Sequence, residues 1–304
     1  MSLDSIFSLG QSALELGLIT SLTVLALFLS YSMLNVCDLS TDGCFTLGAT
    51  VGAVVAIAGH PYLSIAAAMA AGIASGFITA ILQTKMGINS LLAGIIVNTG
   101  LYSINIAVMS GSSILNMNKT DTVFTKMAAL LKGTPVARQS KLFVAIIAVA
   151  AVAVILGLAI RATGDNPDMV RSSSVNPAFT TIIGLCVANS FTALSGCLLA
   201  QSQRSVNIDI GTGMVTIALA SLLIGGVFLG RKKMPLRIFG MVLGAFIFRL
   251  IYTIALRFDM PAFMLKFVSS VIVIAAIATP YFKKQLPLLK RRIQTRSGRR
   301  KADA

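Results

Sequence analysis

Long apolar runs separated by polar segments recur from one end of this 304-residue chain to the other. A run of about 20 such residues can cross the hydrocarbon core of a bilayer, and it must do so as a helix because lipid offers no hydrogen bonds to the backbone. We therefore expect an all-α polytopic membrane protein. Eight full spans are predicted, at residues 12–33, 62–84, 88–109, 141–161, 178–200, 214–229, 238–256 and 262–281.

Composition supports a membrane domain over residues 1–282 followed by a basic tail over residues 283–304. Hydrophobic residues make up 56% of the chain and charged residues only 12%, against about 25% charged in an average soluble domain. The net charge of +15 lies mostly in segments beside the spans and in the tail, so we expect contact with anionic lipid and no nucleic acid. Residues 1–10 contain Asp4 and no Lys or Arg, which predicts no signal peptide.

The segment after the first span predicts a break in the helical bundle. Residues 35–48 are polar and appear poor in helix formers, and residues 49–59 are too short to span a membrane. We expect a re-entrant or unwound piece at membrane depth, which needs protein or a water-filled cavity around it. The alternative is an exposed loop before a short span.

Small and polar residues inside the spans predict how the helices meet. Three Gly-x-x-x-Gly pairs favour close helix packing: Gly48/Gly52, Gly72/Gly76 and Gly240/Gly244. Asn98 and Asn105 are seven residues apart and so share one helix face, while Asn189 and Thr192 lie in a later span. Intramembrane amides turn toward other helices or a cavity, and hydrogen bonding between helices is the more common of their roles.

The distribution of Lys and Arg predicts the orientation. Four spans separate residues 161–177 from the tail, so both lie on one side, which carries sixteen Lys and Arg residues against eight on the other. The positive-inside rule therefore places residues 161–177 and the C-terminus in the cytoplasm. Eight spans and one re-entrant segment place the N-terminus there too, and a true span at residues 44–59 would place it outside.

The loop at residues 161–177 is longer than a simple turn between helices requires. Gly164 allows a turn, Pro167 fits the first turn of a short helix, and Asp165 or Asn166 can cap it. From the residues alone, a solvated loop and a docking surface for a soluble partner remain equally open.

Motifs of catalysis and metal binding are missing from the sequence. It has no P-loop, no His-Glu-x-x-His, no Gly-x-Ser-x-Gly and a single histidine, so we expect no enzyme, no ATPase of its own, no metal site and no cofactor. Arg249 is the cation that lies deep within a predicted span. It could neutralise a substrate carboxylate, but pairing with a buried acid or with backbone carbonyls is the more common role. Asp38 and Asp42 are the candidate acids.

Three segments together resemble the permease subunits of bacterial ATP-binding-cassette (ABC) importers for branched-chain amino acids and ribose-type sugars. Asp38-Leu-Ser40 resembles the family's Asp-Leu-Ser-x-Gly segment, with Thr41-Asp-Gly43 in place of the direct step to Gly. Residues 164–174 resemble its Gly-x-Asn-x-x-Ala-Ala-Arg-x-Ser-Gly loop, with Met-Val for Ala-Ala and Ser174 for the last Gly. Residues 217–226 resemble its Ala-Ile-Ala-x-Val-x-Leu-Gly-Gly motif.

The resemblance implies a homodimeric permease in the bacterial inner membrane, served by a separate ATPase and an external solute-binding protein. It assigns contact with the ATPase to Gly164, Asp165, Asn166, Pro167, Met169, Arg171 and Ser173. The polar groups expected along the solute path are Asp38, Asn98, Asn105, Asn189, Thr192 and Arg249.

The solute that the resemblance favours is an amino acid of the tryptophan or tyrosine type, although sugar and nucleoside permeases share these motifs. An ion-coupled secondary transporter is the competing class, because its broken helices and midplane polar groups look similar. Such a transporter would not need the long loop at residues 161–177.

Overall fold

The computed structural model describes residues 3–34, 36, 38–131, 139–163, 177–229, 234–257, 264, 267, 269–275 and 278. Within these residues the chain is a bundle of helices with one small pair of strands. The helices are α1 (Leu3–Leu27, continued by a π-helical turn at Phe28–Met33), α2 (Thr41–Ile57), α3 (Pro61–Thr84), α4 (Ser90–Val108), α5 (Val123–Leu130), α6 (Ser140–Thr163), α7 (Pro177–Gln203), α8 (Met214–Leu229) and α9 (Met234–Arg257). The strands are β1 (Ile114–Asn116) and β2 (Ser205–Asn207).

Five helices are long and apolar enough to cross a membrane, in agreement with the all-α membrane architecture expected from the sequence. They cover Gly10–Tyr31, Pro61–Thr84, Ser90–Val108, Ala178–Gln203 and Met234–Leu256, and shorter apolar helices cover Thr41–Ile57, Ser140–Leu156 and Met214–Val227. Seven of the eight predicted spans coincide with helices. The eighth predicted span, at residues 262–281, is described mainly at residues 269–275, and these residues are helical.

Helices α2 and α7 form the centre of the bundle. Helix α7 packs against α1, α2 and α3, and α2 also packs against α4 and α8. Every residue of α7 from 188 to 201 is buried, as is most of α2. The core therefore consists of two helices that are enclosed by other helices along most of their length.

Helix α1 runs antiparallel to α7, which fixes the end of the bundle at which the chain starts. The Leu34 side chain lies against Gly184 near the beginning of α7, and the Ser195 hydroxyl donates to the Ile19 carbonyl at 2.7 Å further along. Because α1 therefore starts at the end where α7 finishes, the N-terminus lies at the opposite end from residues 164–176. The expectation that both lie on the same side is wrong.

The reason lies in the broken segment, which crosses the bundle instead of returning to its starting side. Helix α2 is parallel to α7, with Gly48 against Ala193 and Gly52 against Cys197. The chain thus leaves α1 near Gly184 and enters α3 at the far end of α7. Residues 34–57 make a complete crossing of the bundle, so the prediction of a re-entrant segment is wrong although its buried break is confirmed.

The break is also shorter than the sequence indicates. Among the described residues after α1, non-helical backbone is found at residues 34, 36 and 38–40, and helix α2 begins at Thr41, within the stretch predicted to be helix-poor. Glycine at positions 43 and 48 disfavours a helix in isolation. Here the same glycines let α2 approach its neighbours closely, so packing overrides the local preference.

A two-stranded antiparallel ladder joins the polar segment after α4 to the polar segment after α7. Strand β1 pairs with β2 in the register Ile114 with Asn207 and Asn116 with Ser205, and the ladder is extended by Met117 N–H to the Arg204 carbonyl at 2.9 Å. The polar stretches after α4 and α7 therefore form one surface. We call this end of the molecule the strand end.

All three Gly-x-x-x-Gly pairs lie at close contacts between helices, as predicted. A Cβ atom on Gly48 would stand 2.1 Å from the Ala193 carbonyl oxygen, and one on Gly244 would stand 2.1 Å from that of Ser221. The second pair faces the backbone of α7 at Asn189 and Leu185 in the same way. Any side chain at these positions would force the helices apart.

Adjacent glycines in α8 provide a matched test of this packing. A Cβ on Gly225 would lie 2.3 Å from the Gly240 carbonyl oxygen, whereas a Cβ on Gly226 would meet no atom within 4 Å. We expect Gly225→Ala to destabilise the protein by about 1–3 kcal/mol through overpacking, and Gly226→Ala to leave it unchanged or slightly stabilised. Thermal unfolding of the two purified variants in detergent measures the difference, and equal melting temperatures would contradict the packing described here.

Candidate functional site

The buried break between α1 and α2 is organised by the Asp38 carboxylate. Its Oδ1 accepts hydrogen bonds from the Ser40 backbone N–H at 2.8 Å and from the Ser40 hydroxyl at 2.6 Å. Its Oδ2 accepts one from Nδ2 of Asn189, in the middle of α7, at 2.9 Å. Both Asp38 and Asn189 are almost completely buried. The carboxylate is held by three donors and so binds the unwound segment to the central helix.

Helix α3 also reaches this group, because the Thr79 hydroxyl donates to the Ser40 hydroxyl oxygen at 3.4 Å. We call Asp38, Ser40, Thr79 and Asn189 the Asp38 cluster. The cluster connects the break with α3 and α7, and every member is buried. Hydrogen bonds replace the water that a polar break would need, since a buried polar group without a partner is costly.

Asn98 and Asn105 of α4 both lie against the first turn of α2. Nδ2 of Asn105 donates to the Gly43 carbonyl at 3.2 Å, and a Cβ on Gly43 would stand only 2.6 Å from Oδ1 of Asn98. The two amides therefore share a face, as their spacing predicts, and that face packs on the broken segment. Their observed contacts are with the protein, not with an open cavity.

Asp42 holds a second, half-buried break, at the start of α8. Its two carboxylate oxygens accept from the backbone N–H groups of Gly213 at 2.9 Å and Val215 at 2.8 Å. These are the unsatisfied donors of a helix N-terminus, where a negative charge is favourable. Residues 208–213 lead from β2 to this point through turns, so α8 starts inside the bundle beside α2. The sequence did not reveal this capping role of Asp42.

Arg249 does not pair with either acid, and the expected ion pair is wrong. The donors just described occupy the carboxylates of Asp38 and Asp42, and within the described residues the single ion pair is the exposed one between Lys126 and Asp121. Arg249 is 8% exposed and lies in α9 with its guanidinium over the Tyr252 ring, 5.4 Å from the centroid. The face of the aromatic ring attracts the guanidinium and so stabilises part of its positive charge.

Thr192 is the remaining predicted path residue, and its hydroxyl donates to the Ala188 carbonyl of its own helix at 3.1 Å. The side chain is buried in α7 and takes no part in the Asp38 cluster. The structure thus brings Asp38 and Asn189 together and places Asn98 and Asn105 nearby. Thr192 and Arg249 lie apart from that group.

The predicted ATPase-contact residues lie outside the described residues. The structure describes α6 up to Thr163 and α7 from Pro177, so Gly164, Asp165, Asn166, Pro167, Met169, Arg171 and Ser173 all fall between them. Their proposed role rests on the sequence.

A buried glutamine that the sequence analysis did not single out connects the strand end with the core. Oε1 of Gln201 accepts from the Val123 backbone N–H at the start of α5 at 2.8 Å, and its Nε2 donates to the Ser64 hydroxyl at 2.7 Å. The amide is 1% exposed and ties α5 to α3 and α7. A glutamine at the polar end of an apolar run gives no signal that distinguishes it from a solvated residue.

Comparison with known families shows what kind of protein this is. A family model described as "Branched-chain amino acid transport system / permease component" matches residues 11–277, nearly the whole membrane domain. The chain belongs to this permease family. The family consists of multi-pass membrane permease subunits of ABC transport systems and not of catalytic enzymes. The chain is therefore a membrane transport subunit. The resemblance drawn from the three sequence segments is confirmed.

Several relatives share most of the chain. The tyrosine transport system permease protein of Clostridioides difficile is 28% identical over 269 residues, which cover 88% of this chain and 90% of that protein. The uncharacterized protein RP368 of Rickettsia prowazekii is 32% identical over 216 residues, 70% of this chain and 75% of that one. The ribose import permease protein RbsC of Escherichia coli is 27% identical over 220 residues, 69% and 66% of the two chains. No solved structure matches.

Exchanging the two buried partners tests the Asp38 cluster. Asn189→Asp places two carboxylates in contact, so we expect a loss of about 1.5–3 kcal/mol, the range for a hydrogen bond to a charged group. In the exchange Asp38→Asn with Asn189→Asp, the new amide can still accept from Ser40 and donate to position 189, so stability should largely return. Thermal unfolding of the purified permease gives both values.

Thr192→Val is the matched control for that experiment, because it removes a buried polar group of the same helix that bonds only within α7. It should change the melting temperature less than Asn189→Asp. An Asn189→Asp variant as stable as the wild type, or an exchange variant no better than the single variant, would show that the contact does not hold the break.

Proposed function

We propose that this chain is the membrane-spanning subunit of an ABC importer that takes up a small solute, with an amino acid favoured. The observation that carries the proposal is the family match over residues 11–277. The amino-acid preference is supported by the tyrosine transport system permease protein, whose match covers about nine-tenths of both chains. Energy for transport would come from a separate ATPase, since the sequence holds no P-loop.

In this proposal the loop around Asn166 and Arg171 is the contact with the ATPase. It would form a short helix on the cytoplasmic side that sits in a cleft of the ATPase subunit. Closure of the ATPase would then move the attached helices α6 and α7. Helix α7 is bonded to the broken segment through Asn189. A displacement of α7 would therefore be passed directly to the break between α1 and α2.

Two copies of the permease would form the transport unit in the inner membrane of a bacterium, with the C-terminus in the cytoplasm. An external binding protein would deliver the solute at the strand end, where β1 and β2 join the two longest polar segments of that end. The basic tail would contact anionic lipid.

A sugar or nucleoside is the second candidate for the solute, and the match to the ribose import permease protein supports it. The two candidates differ in charge, because a free amino acid carries an ammonium and a carboxylate whereas ribose is neutral. An ion-coupled secondary transporter is disfavoured by membership of the permease family.

Association with the ATPase tests the coupling loop. We expect the wild-type permease to co-purify with the ATPase encoded in its own transport system and to stimulate ATP hydrolysis in proteoliposomes. The variant Asn166→Ala/Arg171→Glu should lower co-purification at least tenfold, because it removes the amide and reverses the charge of the contact. Lys119→Glu, a charge reversal on the exposed strand-end segment, is the control and should leave co-purification unchanged. Equal loss in both variants, or in neither, would contradict the assignment of the loop.

Uptake identifies the solute. Proteoliposomes with the ATPase, the binding protein and internal ATP should accumulate radiolabelled L-tyrosine or L-tryptophan and not D-ribose. Accumulation of ribose alone would contradict the amino-acid preference and would identify the solute as a sugar. Uptake that needs an ion gradient and no ATP would contradict the proposal as a whole.

A further inference from the structure

Helix α3 shows how a lipid-facing helix of this protein is built. Its exposed residues between the ends are all apolar, and Ile73 in the middle is 47% exposed. Three hydroxyl residues between its ends, Ser64, Ser75 and Thr79, are buried against the bundle. Polar side chains inward and apolar side chains outward are what a hydrocarbon environment requires.

Helix α4 departs from this pattern in its middle turns. Thr99, Tyr102 and Ser103 are all exposed, and Tyr102 is 52% exposed. Gly100, between them, is also exposed and has open space where a side chain would be. We call these four residues the α4 hydroxyl patch. They form one continuous surface, since positions 99, 102 and 103 are separated by three and four residues on a helix.

The patch lies at the depth where exposed polar groups are least expected. Helix α4 has 19 residues, about the thickness of the hydrocarbon core, and Thr99 is the tenth of them. The exposed residues before the patch are apolar, including Leu92, Ile95 and Ile96. The polar surface is therefore confined to the middle of the helix and is not an extension of its solvated end.

Two of the three hydroxyl groups have no partner within the described part of the chain. The Thr99 hydroxyl donates to the Ile95 carbonyl of its own helix at 2.9 Å. Neither the Tyr102 nor the Ser103 hydroxyl makes a hydrogen bond to the described residues. In lipid these groups would lose the bonds that water provides, which is unfavourable.

Other helices of the bundle do not share this feature. The exposed residues in the described middle of α6 are apolar, from Phe143 to Ile155. The large exposed residues of α9 are also apolar and lie toward its two ends: Leu236, Phe239, Ile251, Ile254 and Leu256. Among the five long apolar helices, α4 is also the least buried. The combination of a polar middle and an open face therefore singles out α4.

We propose that the α4 hydroxyl patch lines the water-filled path of the solute, on the face of α4 that looks toward the second permease copy. This inference rests on the proposed function and goes beyond it by naming the wall of the path. The patch offers two hydroxyl groups as donors or acceptors and one aromatic ring, which suits a small polar solute with a planar part. The amides first expected along the path, Asn98 and Asn105, contact the first turn of α2 and hold the broken segment instead.

Water accessibility of single cysteines tests the proposal. The variants Thr99→Cys and Ser103→Cys are made in a Cys37→Ser/Cys186→Ser background, in which the remaining Cys44 and Cys197 are fully buried. The complex with its ATPase, in membrane vesicles, is treated with a charged, membrane-impermeant methanethiosulfonate, which reacts only with thiolates in water. Ile73→Cys in α3 is the matched control, because it is equally exposed, equally deep and surrounded by apolar residues.

We expect both α4 cysteines to react at least tenfold faster than the Ile73→Cys control, either without nucleotide or with ATP and orthovanadate. Each variant is measured in both states because the path opens to one side at a time. Slow reaction of both α4 cysteines in both states would show that α4 faces lipid and would overturn the proposal. A control that reacts as fast as the α4 cysteines would overturn it too, since α4 would then have no special access.

ATP-driven uptake in the same vesicles separates this proposal from the proposed function. ATP-driven uptake by variants whose α4 cysteines do not react would support the proposed importer function and would refute the assignment of the patch to the path. If the patch lines the path, modification of Ser103→Cys should block uptake by at least tenfold, whereas treatment of the Ile73→Cys variant should not. Uptake that survives complete modification of Ser103→Cys would refute the proposal even if the cysteine is accessible.

Discussion

The rest of the structure depends on the requirement that polar backbone inside the bundle find its hydrogen bonds within the protein. Among the described residues, two stretches of non-helical chain enter the bundle, one between α1 and α2 and one at residues 208–213. Each is held by one carboxylate. Asp38 accepts from the first break and from the centre of α7, and Asp42 accepts from the exposed N–H groups at the start of α8. Without these two acids, the Ser40 N–H and the N–H groups at the start of α8 would lose their partners inside the bundle, which is unfavourable.

Close packing of the helices is the second condition, and it follows from the first. A hydrogen bond from Asn189 can reach Asp38 only if α2 and α7 lie nearly in contact. Glycines provide that approach: Gly48 and Gly52 face α7 directly, and Gly43 leaves room for the amides of α4. In lipid the association of helices depends on such contacts because there is little hydrophobic driving force between them. The small residues and the buried acids therefore act as one system.

The polar residues of the spans divide into two groups with different roles. Asp38, Asn105 and Asn189 bind helices to each other through hydrogen bonds within the bundle. The hydroxyl groups of Tyr102 and Ser103 face outward from α4 at mid-depth. Residues that make strong internal bonds hold the scaffold, and residues that are left open are the ones available to a solute. This division explains why the polar groups most conspicuous in the sequence are not those proposed for the path.

The sequence by itself determined the helical membrane class, most helix positions, the glycine contacts and the family, because apolar length, small-residue spacing and short motifs are local properties. It also identified Asp38 and Asn189 as residues of interest. Only the tertiary structure decided that these two meet across 151 positions of chain, that Asp42 caps α8 and that Arg249 pairs with neither acid. Partners distant in sequence leave no periodic signal. The direction of α1 likewise depended on whether residues 34–57 cross the bundle, which packing against α7 settles and local pattern does not.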